Sequence, residues 1–290
     1  MPNVMLNDAP MMAPVIPFIP ALEPTPIRDT VSRAEATLDE IDSLWELVAV
    51  DEPRVTGNCL PADLRVSVVI PVFNEKKTVL DVISRIRSLP FAKEIIVVDD
   101  CSTDGTRGWL ETLRGAPGLR LIYQDENQGK GAALRAGFAA ATGHITVVQD
   151  ADLEYDPRGI TQLIHPIVSG DADVAYGSRY LYRKSGDPSL LHRLVNRALT
   201  CASNYFTGLR LTDMETCQKA FRTNVLRELP LRQNRFGFEP EVTAKIARRK
   251  YRVVETPVDY APRTYAEGKK IGIFDAVNAL YCIMRYGWCD

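Results

Sequence analysis

The sequence is short of histidine. Only His144, His165 and His192 occur in 290 residues, and no serine stands in a G-x-S-x-G turn. A nucleophile–histidine triad has little to draw on here. The six cysteines, Cys59, Cys101, Cys201, Cys217, Cys282 and Cys289, form no C-x-x-C pair and no zinc-spaced cluster with histidine. They read as reduced thiols rather than as a disulfide framework. No uninterrupted apolar run of about 18 residues occurs, so no transmembrane helix is expected. The N-terminus has no basic region ahead of a continuous apolar stretch, so no signal peptide is read there. Neither sign of charge dominates, and the formal net charge is −2. That balance excludes the basic footprint of a nucleic-acid-binding protein. The expected location is the cytoplasm, with at most peripheral contact at the cytoplasmic face of a membrane.

Proline is abundant only at the start. Seven prolines fall within residues 1–26. Proline fixes φ and lacks the amide donor, so residues 1–28 are read as a flexible tail. Val31, Ala34, Leu38, Ile41, Leu44, Trp45 and Val48 then recur at helical spacing. Residues 29–63 are read as one amphipathic helix and a linker.

From Leu64 the pattern changes to short β-branched runs alternating with helical ones. Val66–Ile70, Ile95–Val98, Leu119–Tyr123 and Ile145–Val148 are expected strands. Helices follow over Val79–Ile86, after Asp104 and over Gly131–Thr142, with Ser102 or Asp104 as a cap for the second of them. Such alternation predicts an α/β fold with a Rossmann-like, mostly parallel sheet and helices on both faces. Later elements are a strand at Asp173–Tyr176, helices over Leu190–Phe206 and Glu239–Arg249, and a short strand at Lys219–Arg222. Tyr251–Tyr260 reads as a β-rich run. Residues 271–290 form a last amphipathic helix striped by Ile273, Phe274, Val277, Leu280, Tyr281 and Met284, facing either the core or a membrane interface.

In such sheets ligands bind at the carboxyl ends of strands. Those ends carry Pro71–Glu75, Asp99-Asp100 and Asp150-Ala151-Asp152. Carboxylates at i and i+2 converge where the chain turns, and hard oxygen donors suit Mg²⁺ or Mn²⁺. Asp150, Asp152 and Glu154 are the candidate metal ligands. A charge at the end of a buried strand needs a partner, so Asp99 is either a ligand for a base or ribose or a loop cap. Asp104 has the same two readings. No G-x-G-x-x-G follows the first strand, which excludes the dinucleotide signature, and Gly129-Lys130-Gly131 lacks the Ser or Thr of a complete P-loop.

The segments Val66–Glu75, Val97–Thr106, Asn127–Gly131 and Asp150–Asp152, in that order and spacing, resemble family 2 glycosyltransferases. Tyr176–Arg179, Leu211–Asp213, Phe236–Glu239 and Arg263–Lys269 are similar to the dolichyl-phosphate mannose synthase branch of that family. The resemblance covers residues 64–270 and implies a GT-A fold there. It implies an inverting enzyme that moves a sugar from a nucleotide-diphosphate sugar, such as GDP-mannose or a UDP-sugar, to a polyprenyl phosphate. A soluble or saccharide hydroxyl is the alternative acceptor, and a non-catalytic sugar-nucleotide binder is the remote one. The resemblance assigns Pro71, Phe73, Glu75, Asp99, Asp104, Lys130, Asp150 and Ala151 to the donor. It assigns Arg179, Arg263 and Lys269 to the diphosphate and the acceptor phosphate, and Mg²⁺ or Mn²⁺ to Asp150, Asp152 and Glu154. Asp152, Arg179 and Asp213 are the expected catalytic residues. A hydroxyl acceptor needs a base; Asp213 is the first choice, followed by Glu215, Glu239 and Glu241. The branch often has glutamine where Glu154 stands and serine where Gly268 stands.

Overall fold

A computed structural model describes residues 60–181, 190–263 and 273–288. The chain divides after Glu52 into two units, and the described residues belong to the second. The expected tail, the N-terminal helix and most of the linker lie outside the described residues, as does Lys269.

The elements run β1 Arg65–Val72, α1 Val79–Arg87, β2 Ala92–Asp99, α2 Thr106–Glu111, β3 Leu119–Tyr123, α3 Lys130–Ala140 and β4 Ile145–Val148. A 3₁₀ turn at Pro157–Gly159 leads into α4 Ile160–Val168. Then come β5 Val174–Ser178, α5 Leu190–Thr207, β6 Lys219–Arg222, α6 Thr223–Glu228, α7 Phe238–Arg248, β7 Val253–Pro257 and α8 Ile273–Trp288. One sheet holds all seven strands in the order β3-β2-β1-β4-β6-β5-β7. β6 runs antiparallel to both neighbours and the other pairings are parallel.

The strands read as unbroken apolar runs because both sheet faces are covered. On β1, Val66, Val68 and Ile70 point into a core with Val82, Ile83 and Ile86 of α1 and Leu163 and Ile164 of α4. Val69 points the other way, into a core with Leu134, Phe138, Phe238 and Val242. The alternation is the period of two that a strand imposes. On the second face α3 lies so close to β1 that a Cβ on Gly137 would stand 2.3 Å from Val69 Cγ1. The small residues of α3 are a packing requirement.

After β1 the chain builds outward through β2 and β3, then returns to place β4 on the other side of β1. Loops leaving β1 and β4 therefore diverge, and the crevice between them is where open α/β sheets bind ligands. Three of the four non-glycine residues with positive φ among the described residues lie in the loops after β1, β2 and β4: Asn74 (54°), Cys101 (60°) and Leu153 (63°). Backbone held in that sparsely populated region is typical of functional loops.

Several details differ from the sequence reading. α4 was not expected, because Pro166 sits inside it and proline argues against a helix interior. α6, six residues long, was also missed. The last helix shows the largest difference. It buries Ala279, Cys282, Ile283 and Tyr286, while Val277, Leu280, Tyr281 and Met284 are exposed and Trp288 is 80% exposed. Both faces of α8 carry apolar side chains, so its periodicity did not say which one meets the core. Cys101, Cys201, Cys217 and Cys282 are free thiols, as expected.

Asp173 and Arg252 tie the starts of β5 and β7. The Asp173 carboxylate accepts from Arg252 N at 3.0 Å, Nε at 3.1 Å and Nη2 at 2.9 Å. These hydrogen bonds hold its pKa down at about 2 against an ordinary 3.8. A depressed carboxyl stabilises the fold above its unfolded pKa and loses that contribution as pH falls through its folded value. The urea midpoint is expected to fall between pH 4 and pH 2, and to fall less in Asp173→Asn. Equal decreases in the two proteins would remove Asp173 from the acid response.

Candidate active site

The loop after β1 and the loop after β2 are laced together. Asn74 N donates to Ser102 Oγ at 2.9 Å, and Thr103 N donates to Asn74 Oδ1 at 2.8 Å. Asp104 accepts from Lys76 N at 3.2 Å and from Thr106 N at 2.9 Å. Its carboxylate is therefore taken up by the lacing and by the first residue of α2; the N-cap position itself is Gly105, and neither Asp104 nor Ser102 caps the helix as the sequence reading expected. Asp99 is fully buried and accepts from Arg107 Nε at 2.8 Å and Ser102 N at 3.3 Å. Arg107 lies over the Tyr123 ring at 5.0 Å and was not singled out from sequence. Asp100 was not assigned a role either. It accepts from Gln128 N and Gly129 N, both at 2.8 Å, and so fixes the entry to α3. Gly129 and Gly131 press on the backbone of Asn234 and Gln233, where a Cβ would come within 2.6 Å and 2.3 Å of carbonyl oxygens. They are required by this contact, which accounts for the incomplete P-loop.

The acids after β4 face cations from distant parts of the chain. Lys130, the first residue of α3, reaches Asp150 at 3.0 Å and Glu239 at 3.5 Å. Burial works against the Lys130 ammonium, but Asp150, Cys217 and Glu239 together outweigh it and hold the pKa well above its ordinary value. Arg263, just beyond β7, donates to Glu75 at 3.0 and 3.2 Å and to Asp152 at 3.0 Å. Its backbone N–H donates to Glu154 Oε1 at 2.9 Å. One guanidinium thus neutralises part of a group drawn from the ends of β1 and β4. Burial first, then the charges of Asp150 and Glu154, push Asp152 up to about 7. Ala151 is buried beneath this turn, Pro71 closes β1 as part of the strand, and Phe73 is half-buried beside Asn74.

Arg179, at the exit of β5, forms a buried ion pair near the site. Nε and Nη2 donate to Asp213 at 2.6 and 2.7 Å, and Asp213 is 0% exposed. Asn196 of α5 bridges both, accepting from Arg179 Nη2 at 3.1 Å and donating to Asp213 at 3.2 Å. Burial raises Asp213, but the Arg179 charge and hydrogen bonds more than offset this and leave it below the ordinary carboxylate value. Arg179 also lies over the Tyr260 ring at 5.2 Å, and Tyr260 Oη donates to Glu154 at 3.1 Å. Arg179 and Arg263 therefore flank one Tyr260–Glu154 link. Sequence reading missed Asn196 and Tyr260; the only signal for Tyr260 was its place three residues before Arg263. Glu241, a candidate base, is buried against Lys245 at 2.7 Å and caps Arg232 N and Gln233 N.

These loops and β-strands match a known family model, described as Glycosyl transferase family 2, over residues 67–229. The chain belongs to this family. It is 30% identical over 74% of its length to an undecaprenyl-phosphate 4-deoxy-4-formamido-L-arabinose transferase of Aeromonas hydrophila, and spans 65% of that protein. It is 29% identical over 72% of its length to an undecaprenyl-phosphate mannosyltransferase of Micrococcus luteus, covering 88% of that protein. Among solved structures, glucosyl-3-phosphoglycerate synthase of Mycobacterium tuberculosis, crystallised with Mn²⁺, UDP and glucosyl-3-phosphoglycerate, matches with a TM-score of 0.62. That match covers 83% of this chain and 88% of the synthase at 20% identity, and shows the same GT-A fold.

The donor chemistry fits a hard divalent ion, since Asp150, Asp152 and Glu154 offer only oxygen. The crowding that raises Asp152 marks a surplus of negative charge in which an added cation is favoured. As they stand, Asp150 turns to Lys130 while Asp152 and Glu154 turn to Arg263, and among the described residues no three such side chains are gathered around one point.

Proposed function

We propose that this family 2 glycosyltransferase moves a hexose from a nucleotide-diphosphate sugar to a polyprenyl phosphate, with inversion. The observation that carries the reading is the pair of guanidinia, Arg179 and Arg263, set on either side of the Tyr260–Glu154 link, with Arg263 against Asp152 and Lys130 against Asp150. Two phosphate-bearing molecules meet in such a reaction, and arginine forks are suited to both. Asp150, Asp152 and Glu154 would hold Mg²⁺ or Mn²⁺, which when bound neutralises the departing diphosphate. Lys130 and Arg263 hold the donor's phosphates, and Arg179 meets the acceptor's. Pro71, Phe73, Glu75 and Asp99 border the nucleotide, with Asp104 bracing the loops that carry them. Lys269 is assigned to the phosphates from sequence alone.

A phosphate monoester has a second pKa of about 6, so its attacking oxygen is already ionised at neutral pH. No base is required. Asp213 is then a poor candidate for proton transfer and a good one for holding Arg179, since both its oxygens are committed. The exposed apolar side chains of α8, together with Leu191 and Leu194 of α5, give the protein a face suited to peripheral contact with the membrane that contains such a lipid.

The test is release of nucleotide diphosphate from a panel of nucleotide sugars with Mn²⁺ or Mg²⁺ and a short polyprenyl phosphate. Release dependent on both lipid and metal supports the reading. Turnover that ignores the lipid but responds to a saccharide would move the acceptor to a hydroxyl.

A further inference from the structure

Among the described residues, two buried carboxylate oxygens near the site, Glu239 Oε2 and Glu215 Oε1, accept no hydrogen bond. Glu239, the second residue of α7, is only 3% exposed. Its other oxygen lies 3.5 Å from Lys130 Nζ, which stands 3.0 Å from Asp150. Glu215 lies two residues beyond Asp213, on the approach to β6. The buried Lys219 does not satisfy either acid, because its ammonium donates to the carbonyls of Met214 and Thr216. Burial and then the charge of Glu239 push Glu215 up to about 8.

A buried acceptor left unmade costs about 1–3 kcal/mol, and more when charged. Native structures rarely keep such groups without a ligand to complete them. Lys130 places the Glu239 oxygen a single ammonium away from Asp150, which the reading above assigns to the donor diphosphate. What is bonded to that diphosphate is the sugar. A sugar hydroxyl can donate as well as accept, and each of these two oxygens is an acceptor that lacks a donor. A carboxylate on the sugar ring would instead face the Glu239 charge in a buried setting, where like charges repel strongly.

We infer that Glu239 and Glu215 form the subsite for the ring hydroxyls of the transferred sugar and select a neutral hexose over a hexuronic acid. This rests on the donor assignment above. The test uses the full chain with Mn²⁺ and calorimetric titration of UDP, UDP-glucose and UDP-glucuronate, alongside GDP, GDP-mannose and GDP-mannuronate. The neutral sugar nucleotide is expected to bind at least tenfold tighter than its uronate counterpart. In Glu239→Gln that gap should shrink about tenfold while affinity for the bare nucleotide diphosphate changes less than threefold. Glu215→Gln should weaken the neutral sugar nucleotide, again with little change for the bare diphosphate. Equal binding of neutral and uronate forms by the unaltered protein overturns the inference and leaves the donor assignment standing. So does a gap that survives both substitutions. Failure of every nucleotide to bind would overturn the donor assignment itself, and this subsite with it.

Discussion

Asp152→Ala is expected to abolish sugar transfer while leaving the fold intact. Asp152 faces Arg263 at 3.0 Å, and burial first, then the charges of Asp150 and Glu154, push it up to about 7. A group in that position adds to the crowding of like charges around it. Its retention makes sense if its charge is used when donor phosphates and a cation are bound. Removing one preorganised charge of this kind costs on the order of 10³-fold in kcat/KM, about 4 kcal/mol of transition-state stabilisation. Stability should change little, because Arg263 keeps both bonds to Glu75 and two acids lose a repulsive neighbour. The measurements are steady-state release of nucleotide diphosphate and a melting curve. Retained turnover would exclude Asp152 from the chemistry. Lost turnover together with a collapsed melting temperature would give it a structural role instead.

The opposite pattern is expected at Asp213. Arg179 and Asp213 are both buried, and Asn196 completes their hydrogen bonds. Asp213→Ala leaves the buried Arg179 guanidinium without the carboxylate that engages it. Breaking such a pair costs about 3–5 kcal/mol, which for a domain of this size lowers Tm by roughly 10 °C. Activity should fall as well, since Arg179 loses the partner that aims it. A second variant separates the two effects. Asp213→Leu combined with Arg179→Met replaces the pair by apolar groups of similar size, and such replacements are often neutral or stabilising. The double variant is expected to regain much of the lost stability in urea unfolding and none of the activity. A double variant no more stable than Asp213→Ala would show that the fold needs the pair itself. Recovered turnover would remove Arg179 from acceptor binding.

The contrast between these two acids shows where the sequence is readable. Asp152 was found because β4 is a plain apolar run and the fold rule places ligands at its carboxyl end. That inference is local. The pairing of Arg263 with Glu75 spans 188 residues, and nothing local to either residue announces it. The family resemblance named Arg263 and Arg179 as phosphate ligands but was silent on what holds them. Asp213 was read as a base because its segment faces the acceptor in relatives; only its two short bonds to Arg179 reveal the different use. The strands β1 to β4 were legible to within a few residues because both faces are buried and β-branched side chains mark them. α4 was hidden by Pro166. The facing of α8 was hidden by apolar side chains on both sides, a case where amphipathic periodicity carries no direction.

Arg263 gives the protein an internal counter-ion. With its guanidinium against Glu75, Asp152 and Glu154, the acidic turn after β4 is partly neutralised before anything binds. Folding therefore does not wait on a metal, unlike small domains whose ligands have no other neutral arrangement. Chelating agents should silence the protein without unfolding it. In the reaction proposed above, a phosphate that drew Arg263 away would free Glu75, Asp152 and Glu154 at once. Assembly of the fold and charging of the site are thus separate events, joined by a single side chain that serves each in turn.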